Sequence, residues 1–242
     1  MGNNLIIIPT YNEIENIEGI IRAVMGLSIP FHAMIVDDGS PDGTGNKVRE
    51  LQQEFPNRII LEERAEKSGL GTAYIYGFKK ALDLGYAYIF EMDADFSHNP
   101  KDLVKLYEAC ANDGADVAIG SRYVTGVNVV NWPMSRVMLS YFASYYVRFI
   151  TCMPIADTTA GFKCYSRKVL EKIKLDNIKF VGYAFQIEMK FLTWKYGFNI
   201  KEVAIIFTDR TKGKSKMSKG IIKEAVFGVL QMKIWSLFQN FH

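Results

Sequence analysis

The sequence predicts an α/β fold, a single domain with a mostly parallel central sheet flanked by helices. Short apolar runs alternate with stretches of helical periodicity, and this β-α unit occurs four times in the first half of the chain. Repeated β-α units are typical of a parallel sheet with helices on both faces. No linker rich in Gly, Pro or Ser and no internal repeat divides the 242 residues, which favours one domain.

Each element of the first half follows from a local pattern. The apolar run Leu5–Ile8 ends at Pro9, and isoleucines at helical spacing follow it, with Asn12 as the expected N-cap. A Ser-Pro-Asp-Gly turn at residues 40–43 precedes the second helix. The other predicted elements are strands at Ala33–Val36, Ile59–Leu61, Tyr86–Met92 and Asp116–Gly120, and helices through Val48 and Leu51, at Gly69–Leu84 and from Pro100.

The second half of the chain is less regular. Its predicted elements are helices at Ser135–Thr151, Ala184–Lys195 and Lys219–Phe241 and strands at Thr158–Tyr165 and Asn199–Phe207. In a parallel sheet, right-handed crossovers bring the carboxyl ends of the strands to one edge, where ligands bind. We therefore expect one cleft lined by the loops that begin at Pro9, Asp37, Glu62, Asp93 and Ser121.

The composition excludes several classes of protein. Hydrophobic residues make up 49% of the chain and charged residues 23%, so disorder, collagen and coiled coil are excluded for the whole chain. A formal net charge of +3 is too small to indicate a nucleic-acid partner. The N-terminus has no signal-peptide pattern, and no run of about 18 apolar residues predicts a transmembrane helix.

Two acidic residues at positions i and i+2 form the strongest local pattern. Asp93 and Asp95 follow an apolar run, and extended backbone would direct both carboxylates to one side. Neighbouring carboxylates either raise one pKa or bind a cation. Oxygen ligands suit Mg²⁺ or Mn²⁺, which commonly bridge to substrate phosphates. The pattern therefore predicts a divalent-metal site.

Other interpretations of this acidic pair exist. An EF-hand loop starting at Asp93 would need Gly and Glu where the chain has His98 and Val104, which excludes it. A haloacid-dehalogenase-like phosphatase usually has its Asp-x-Asp nucleophile near the N-terminus, whereas this pair follows several β-α units. Two solvated aspartates in a turn are the structural alternative.

Two earlier loops contain candidate nucleotide contacts. Asp37 and Asp38 end the second strand, and adjacent side chains of a strand diverge. One aspartate is therefore expected to accept hydrogen bonds from a base or ribose, and the other to fix the loop. Tyr11 lies just past the first strand, where it can stack on a nucleobase. Turns with helix-capping residues are the alternative.

A basic segment and two arginines are candidate phosphate ligands. Residues 210–219 contain five cationic side chains and a glycine, as expected of a loop that closes over a diphosphate. A solvated basic face or an anionic-lipid patch is the alternative. Arg122 follows the fifth strand and Arg136 starts an aromatic helix, and the arginine fork suits phosphate.

Two apolar segments predict amphipathic helices. Residues 137–147 lie between two arginines, and charged residues interrupt the apolar residues 221–241. Packing against the core is one interpretation of these segments. Docking onto a membrane surface is the other.

Five motifs then occur in an order that identifies a family. They are Pro9-Thr10-Tyr11-Asn12-Glu13, Asp37-Asp38-Gly39-Ser40-Pro41-Asp42-Gly43-Thr44, Gly69-Leu70-Gly71-Thr72-Ala73, Met92-Asp93-Ala94-Asp95 and Ile119-Gly120-Ser121-Arg122-Tyr123. Together they resemble the family 2 glycosyltransferases of the GT-A fold, above all the dolichyl-phosphate (polyprenyl-phosphate) mannosyltransferases. The resemblance implies a catalytic domain at residues 1–218, followed by an amphipathic helix at 219–242 without a transmembrane segment.

The resemblance also implies an activity. It is the transfer of mannose from GDP-mannose to a dolichyl or polyprenyl phosphate, with inversion at the anomeric carbon and with Mg²⁺ or Mn²⁺ as cofactor. There are two alternatives. One is a related enzyme that uses a UDP-sugar such as UDP-glucose, and the other is a non-catalytic subunit of a membrane transferase complex. The implied location is peripheral, on the cytoplasmic face of a membrane, where an integral-membrane partner could anchor the chain. No nucleic-acid partner is implied.

Individual residues receive roles by the same resemblance. The guanosine part would be surrounded by Pro9, Tyr11, Glu13, Val36 and Asp38. The diphosphate and metal would meet Asp93, Ala94 and Asp95, with Arg210 and Lys216 closing over the diphosphate as further catalytic residues. The lipid phosphate would be held by Arg122 and Arg136, with Arg122 also beside the donor.

The chain departs from the family pattern at two places. Many relatives have Gln as a further metal ligand where this chain has Ser97. The usual Ser-Gly-Phe is Ala160-Gly161-Phe162.

Overall fold

A seven-stranded sheet lies at the centre of the protein, a computed structural model that describes residues 3–66, 68–210 and 220–241. The strands are β1 (Asn4–Thr10), β2 (His32–Asp37), β3 (Ile59–Glu63), β4 (Tyr88–Glu91), β5 (Val117–Ser121), β6 (Val129–Val130), β7 (Lys163–Ser166), β8 (Ile200–Ala204) and β9 (Phe207–Thr208). The order in the large sheet is β3-β2-β1-β4-β7-β5-β8, and β6 pairs with β9 in a small second sheet.

Helices cover both faces of this sheet. They are α1 (Ile14–Met25), α2 (Thr44–Glu54), α3 (Leu70–Asp83), α4 (Asp102–Ala111), α5 (Met134–Thr151), α6 (Arg167–Lys172), α7 (Tyr183–Lys195) and α8 (Gly220–Trp235), with a short 3₁₀ helix at Leu175–Asn177. Because side chains alternate along a strand, Leu5 and Ile7 of β1 pack in one core layer with α3 and α5–α8. Ile6 and Ile8 pack in the opposite layer with α1, α2 and α4.

The prediction of a mostly parallel sheet is confirmed. Within the described strands, β7 runs antiparallel to both neighbours, β4 and β5, while the other pairs of the large sheet are parallel. The strand expected at Thr158–Tyr165 is shorter than predicted and starts at Lys163. Residues 159–161 instead line the cleft at the sheet edge.

The start of α1 corrects one prediction. Asn12 is not the N-cap; it has a left-handed φ of 55°, and Glu13 caps the helix without a side-chain hydrogen bond. The amide of Glu13 donates to Oγ1 of Thr44 at 3.0 Å, and that of Ile14 donates to Oδ2 of Asp42 at 3.0 Å. The next loop along the sheet edge therefore satisfies the free amides of this helix.

The C-terminal helix is shorter than predicted. α8 ends at Trp235 rather than Phe241, and it contributes Val229 and Met232 to the same core layer as α7. The predicted boundary between residues 218 and 219 lies outside the described residues. Among the helices that the structure describes, none combines the length and the apolar character needed to cross a bilayer.

Candidate active site

A cleft of about 420 Å³ opens at the carboxyl edge of the parallel strands. Each of the five predicted loops contributes to its lining, including Tyr11, Asp38, Leu70, Asp95 and Arg122. The expectation that these loops meet at one cleft is therefore confirmed. The amino end of the antiparallel β7 reaches the same edge, so residues 159–161 line it as well.

The two predicted carboxylates lie together on the cleft wall. β4 ends at Glu91, so Asp93 and Asp95 occupy the loop after the strand rather than the strand itself. Oδ1 of Asp95 accepts a hydrogen bond from the Ser97 amide at 3.0 Å, and Oδ2 lies 2.8 Å from Nη2 of Arg210. Burial and the neighbouring Asp95 raise the pKa of Asp93 to about 7, and Arg210 partly opposes this. A cation beside the two carboxylates would relieve their mutual repulsion.

These oxygen atoms suit a hard divalent cation. Mg²⁺ is usually held by one or two carboxylates, with water and substrate phosphates as its other ligands. Asp93 and Asp95 both line the cleft and fit that arrangement, and Ser97 lies beside them, almost fully buried. Within the described residues, no group of three His, Cys, Asp or Glu side chains is placed to hold a metal ion.

The two aspartates at the end of β2 have separate surroundings, as expected of adjacent residues at a strand end. Asp37 fixes the loop: its carboxylate accepts hydrogen bonds from Oγ1 of Thr10 at 2.7 Å and from Oγ of Ser40 at 2.6 Å. Asp38 lines the cleft and forms an ion pair with Arg64, at 2.6 Å from Nη2. Arg64 was not predicted.

The remaining residues predicted for the nucleotide divide into two groups. Pro9, Tyr11, Glu13 and Ala94 line the cleft. Val36 does not: its side chain is fully buried in the core layer under α3. A side-chain contact between Val36 and a base is therefore not supported, because the strand directs this residue away from the cleft.

Arg122 lines the cleft, but Asp157 is its main partner. Nε and Nη2 of Arg122 each lie 2.7 Å from a different oxygen of Asp157, and the Arg122 amide donates to the same carboxylate at 3.0 Å. Although burial opposes the charge of Asp157, Arg122 holds the pKa of that carboxyl below its ordinary value. A phosphate bound by Arg122 would therefore lie near the carboxylate of Asp157, which sequence reasoning missed.

Two further cationic side chains stand at the cleft. Arg136, at the start of α5, has its guanidinium carbon 4.1 Å from the centre of the Trp132 ring and forms an ion pair with Asp209 at 2.8 Å. Arg210 lines the cleft and pairs with Asp95. The predicted Lys216 lies outside the described residues.

Sequence reasoning also missed His98 and Gln186, which line the cleft and are almost fully buried. The His98 ring stacks on Phe162 with 4.8 Å between ring centres. Burial lowers the pKa of His98 to about 4, so this imidazole is neutral at neutral pH. Gln186 belongs to no local motif, and only the fold brings it to the cleft, whereas His98 lies in the predicted loop that begins at Asp93.

The fold and the cleft are those of a glycosyltransferase. Residues 5–174 match the model of glycosyl transferase family 2, and the chain belongs to this family. It is 47% identical over 230 residues to the polyprenol monophosphomannose synthase of Mycolicibacterium smegmatis, covering 95% of this chain and 86% of that protein. It is 44% identical over 233 residues to the undecaprenyl-phosphate mannosyltransferase of Micrococcus luteus, covering 96% and 93%.

Solved structures support the same fold at low sequence identity. Glucosyl-3-phosphoglycerate synthase from Mycobacterium tuberculosis, in complex with Mn²⁺, UDP and glucosyl-3-phosphoglycerate, has a TM-score of 0.69 at 15% identity, covering 96% of this chain and 80% of that chain. A mannosyltransferase from Pyrobaculum calidifontis, in complex with GDP-mannose and Mn²⁺, has a TM-score of 0.57 at 16% identity, covering 98% and 74%. The predicted GT-A fold is confirmed.

Proposed function

We propose that the protein is a polyprenyl-phosphate mannosyltransferase, which moves mannose from GDP-mannose to the phosphate of a polyprenyl or dolichyl phosphate. One observation carries this proposal. A single cleft holds the carboxylates of Asp93 and Asp95 and also Arg136, the residue from which an exposed apolar helix extends. The two mannosyltransferase relatives, at 44–47% identity over nearly the whole chain, support the same substrates.

The donor end of the cleft would bind the nucleotide and its diphosphate. Tyr11 and Asp38 line the cleft, where Tyr11 would stack on a base and the Asp38 carboxylate would accept hydrogen bonds from the base or ribose. Asp93 and Asp95 would hold Mg²⁺ or Mn²⁺, which supplies positive charge to the departing diphosphate. Arg210 would add its charge to the same leaving group, and so would Lys216 by family resemblance.

The acceptor needs little activation. The second pKa of a phosphate monoester is about 6, so the acceptor is largely dianionic at neutral pH. Its attack therefore depends on positioning rather than on a strong general base. Arg136, whose guanidinium carbon lies 4.1 Å from the centre of the Trp132 ring, would orient the phosphate, and Arg122 would be a second donor to it.

The acceptor tail accounts for an apolar surface on two adjacent helices. α5 and α8 pack side by side, and the Tyr146 hydroxyl donates to the carbonyl of Val226 at 3.0 Å. Their exposed apolar residues include Met138, Phe142, Phe149, Phe227 and Ile234. Such a surface suits shallow insertion into the membrane interface, next to the cleft that Arg136 lines. We propose peripheral attachment to a membrane through this surface, on its cytoplasmic face, with or without an integral-membrane partner.

A transfer assay tests the function. The full chain is incubated with labelled GDP-mannose, a short polyprenyl phosphate and Mg²⁺ or Mn²⁺, and the lipid phase is analysed for a mannosyl phosphate of inverted anomeric configuration. We expect a labelled product that chelation of the metal abolishes. The unphosphorylated polyprenol is the matched control and should accept nothing.

The same assay tests the alternatives. Transfer from UDP-glucose, and not from GDP-mannose, would replace the donor assignment. Binding of GDP-mannose without transfer by the isolated chain would instead support a subunit that needs a partner.

A further inference from the structure

Four buried polar residues lie at and next to the cleft wall. Glu91, Lys163 and Lys190 are at most 1% exposed, and Gln186 is 4% exposed. We call this set the Glu91 network. Glu91 and Lys163 are opposite each other on the antiparallel strands β4 and β7, with Nζ of Lys163 3.1 Å from Oε2 of Glu91. Burying charged groups is costly, and here their placement fixes a neighbouring neutral group.

That neutral group is the carboxamide of Gln186 on α7. Its Nε2 donates to Oε2 of Glu91 at 2.8 Å, and its Oε1 accepts a hydrogen bond from Lys163. Reversing the amide would place its NH₂ group against the lysine ammonium, so the network sets one orientation. Since the amide is planar, this orientation also sets the direction of its second N–H.

Lys190, one helical turn further along α7, fixes the helix to the cleft wall. Its ammonium donates to the carbonyls of Thr158 at 3.0 Å and Ala160 at 2.6 Å. These carbonyls belong to the segment that precedes β7 and lines the cleft. The position of Gln186 relative to that wall is therefore fixed twice. Lys190 fixes it from the same helix, and Glu91 and Lys163 fix it from the sheet.

Of the four residues in the Glu91 network, Gln186 is the one that lines the cleft. The surrounding wall is formed by Thr159, Ala160, Gly161 and Gly182, which carry no charge. Arg122, from the loop after β5, donates to Oγ1 of Thr159 at 2.8 Å, and its charge is balanced by the ion pair with Asp157. A wall that offers an oriented amide, and whose nearby arginine is already paired with a carboxylate, suits a neutral group with hydroxyls.

We infer that Gln186 binds a hydroxyl group of the sugar being transferred, and that Glu91 and Lys163 are positioning residues for its carboxamide. This inference rests on the proposed function in that the cleft must hold a nucleotide sugar. It adds a residue that recognises the sugar itself rather than the nucleotide or the metal. The three residues come from β4, β7 and α7, so their role arises only in the folded chain.

The test measures sugar recognition separately from nucleotide recognition. Gln186→Met retains the volume of the side chain and removes its hydrogen bonds. By calorimetry with Mn²⁺, we expect its affinity for GDP-mannose to fall about tenfold, as for the loss of one hydrogen bond, while its affinity for GDP stays within about twofold of wild type. Gln53→Met, on the exposed surface of α2, is the matched control and should change neither affinity.

Deoxy analogues of the donor identify the contact. If Gln186 binds one hydroxyl, the penalty of Gln186→Met disappears with the analogue that lacks this hydroxyl and persists with the others. The inference is overturned if Gln186→Met loses the same affinity for every analogue, if it loses as much affinity for GDP as for GDP-mannose, or if it loses none. Lys163→Met should show the same selective loss as Gln186→Met, because it releases the carboxamide.

A second variant tests the same contact without changing the buried residues of the Glu91 network. A Cβ at Gly161 would lie 3.6 Å from Nε2 of Gln186, an ordinary contact, so Gly161→Ala is compatible with the fold and crowds the amide from the cleft side. We expect it to weaken GDP-mannose binding selectively, and Gly26→Ala, also without a close contact, to have no effect. Wild-type protein that binds UDP-glucose but not GDP-mannose refutes the proposed donor, and the same cycle on UDP-glucose then tests Gln186 independently.

Discussion

Arg122 and Asp157 form a two-point ion pair, although they are 35 positions apart in the sequence. Both side chains are almost fully buried, at 7% and 0% exposure. The guanidinium also lies 5.5 Å from the centre of the Trp132 ring and 5.6 Å from that of Phe207. The pair therefore connects the loop after β5 with the segment before β7, which together form one side of the cleft.

Removing the carboxylate of this pair should destabilise the protein. Asp157→Asn keeps the shape of the side chain but leaves a buried arginine without its counter-charge, which typically costs about 3–5 kcal/mol. The free energy of unfolding in denaturant measures the effect. Asp176→Asn, which breaks the exposed pair with Lys79, is the control and should change stability by less than about 0.5 kcal/mol. Similar values for the two variants would contradict the structural role of Asp157.

The same pair predicts a pH dependence. The pKa of Asp157 is lowered in the folded protein, so the folded state binds this proton more weakly than the unfolded state does. Its stabilising contribution is therefore complete above the unfolded pKa of about 3.9 and is lost as the pH falls through the folded pKa. The stability difference between wild type and Asp157→Asn should be constant from about pH 5 to pH 7 and shrink below about pH 4. Unfolding curves across this range measure it, and a constant difference down to pH 3 would refute the assignment.

Asp95 is predicted to be essential for turnover. Asp95→Ala removes a carboxylate from the proposed metal site and the partner of Arg210, so we expect a loss of about 10³-fold or more in kcat while the protein stays folded. The transfer assay and a circular-dichroism melting curve measure the two properties. Asp113→Ala, at the exposed pair with Lys201, should retain normal turnover. Near-normal rates in Asp95→Ala would exclude the metal assignment.

Arg136 should act on the acceptor more than on the donor. Arg136→Ala removes a cation from the proposed phosphate site, and a hydrogen bond to a charged group contributes about 1.5–3 kcal/mol. We therefore expect the KM for polyprenyl phosphate to rise about tenfold or more, with the affinity for GDP-mannose almost unchanged. Steady-state kinetics with each substrate varied in turn test this. Arg167→Ala, on the short helix α6, is the control, and equal effects of Arg136→Ala on both substrates would disprove the division of roles.

The apolar surface of α5 and α8 should mediate membrane binding. Phe149 on α5 is 74% exposed and Phe238, three residues after the end of α8, is 84% exposed, and each would contribute about 1.5–3 kcal/mol if it entered the interface. Phe149→Asp or Phe238→Asp should therefore reduce binding to anionic liposomes about tenfold or more in a flotation assay. Gln53→Asp adds the same charge to α2 on the opposite face of the sheet and should bind normally. Wild-type protein that remains unbound would refute the membrane proposal.

Local patterns in the sequence predicted much of the fold. The alternation of apolar runs and helical periodicity located β1 to β5 and the helices between them, because burial on a strand or helix leaves a pattern within a few residues. Asp37 and Asp38 could be expected to point in different directions, because adjacent side chains at the end of a strand diverge. The ends of these helices and strands were less predictable. For example, the Thr44 hydroxyl that accepts a hydrogen bond from the Glu13 amide at the start of α1 comes from another loop.

The residues missed at the site are those placed by tertiary contacts. Asp157 lies in an irregular segment just before Ala160-Gly161-Phe162, and Gln186 lies on a helix, and neither residue is part of a motif that indicates its role. The direction of β7 was also not predicted, because a short apolar strand looks the same in either direction. Val36 was expected at the nucleotide by resemblance alone, and the alternation of β2 places its side chain in the core.

The antiparallel β7 has a consequence for the order in which the protein can assemble. β4 and β5 have no direct pairing, since β7 lies between them in the sheet and follows both in the chain. While the chain is being synthesised, the half-sheet formed by β1–β4 therefore keeps the β4 edge open until Lys163–Ser166 has emerged from the ribosome. Open strand edges are where nascent chains aggregate. We expect fragments that end before β7 to scatter light more than fragments that end after it. The synthesis of β7 would therefore mark the point after which the nascent chain aggregates less.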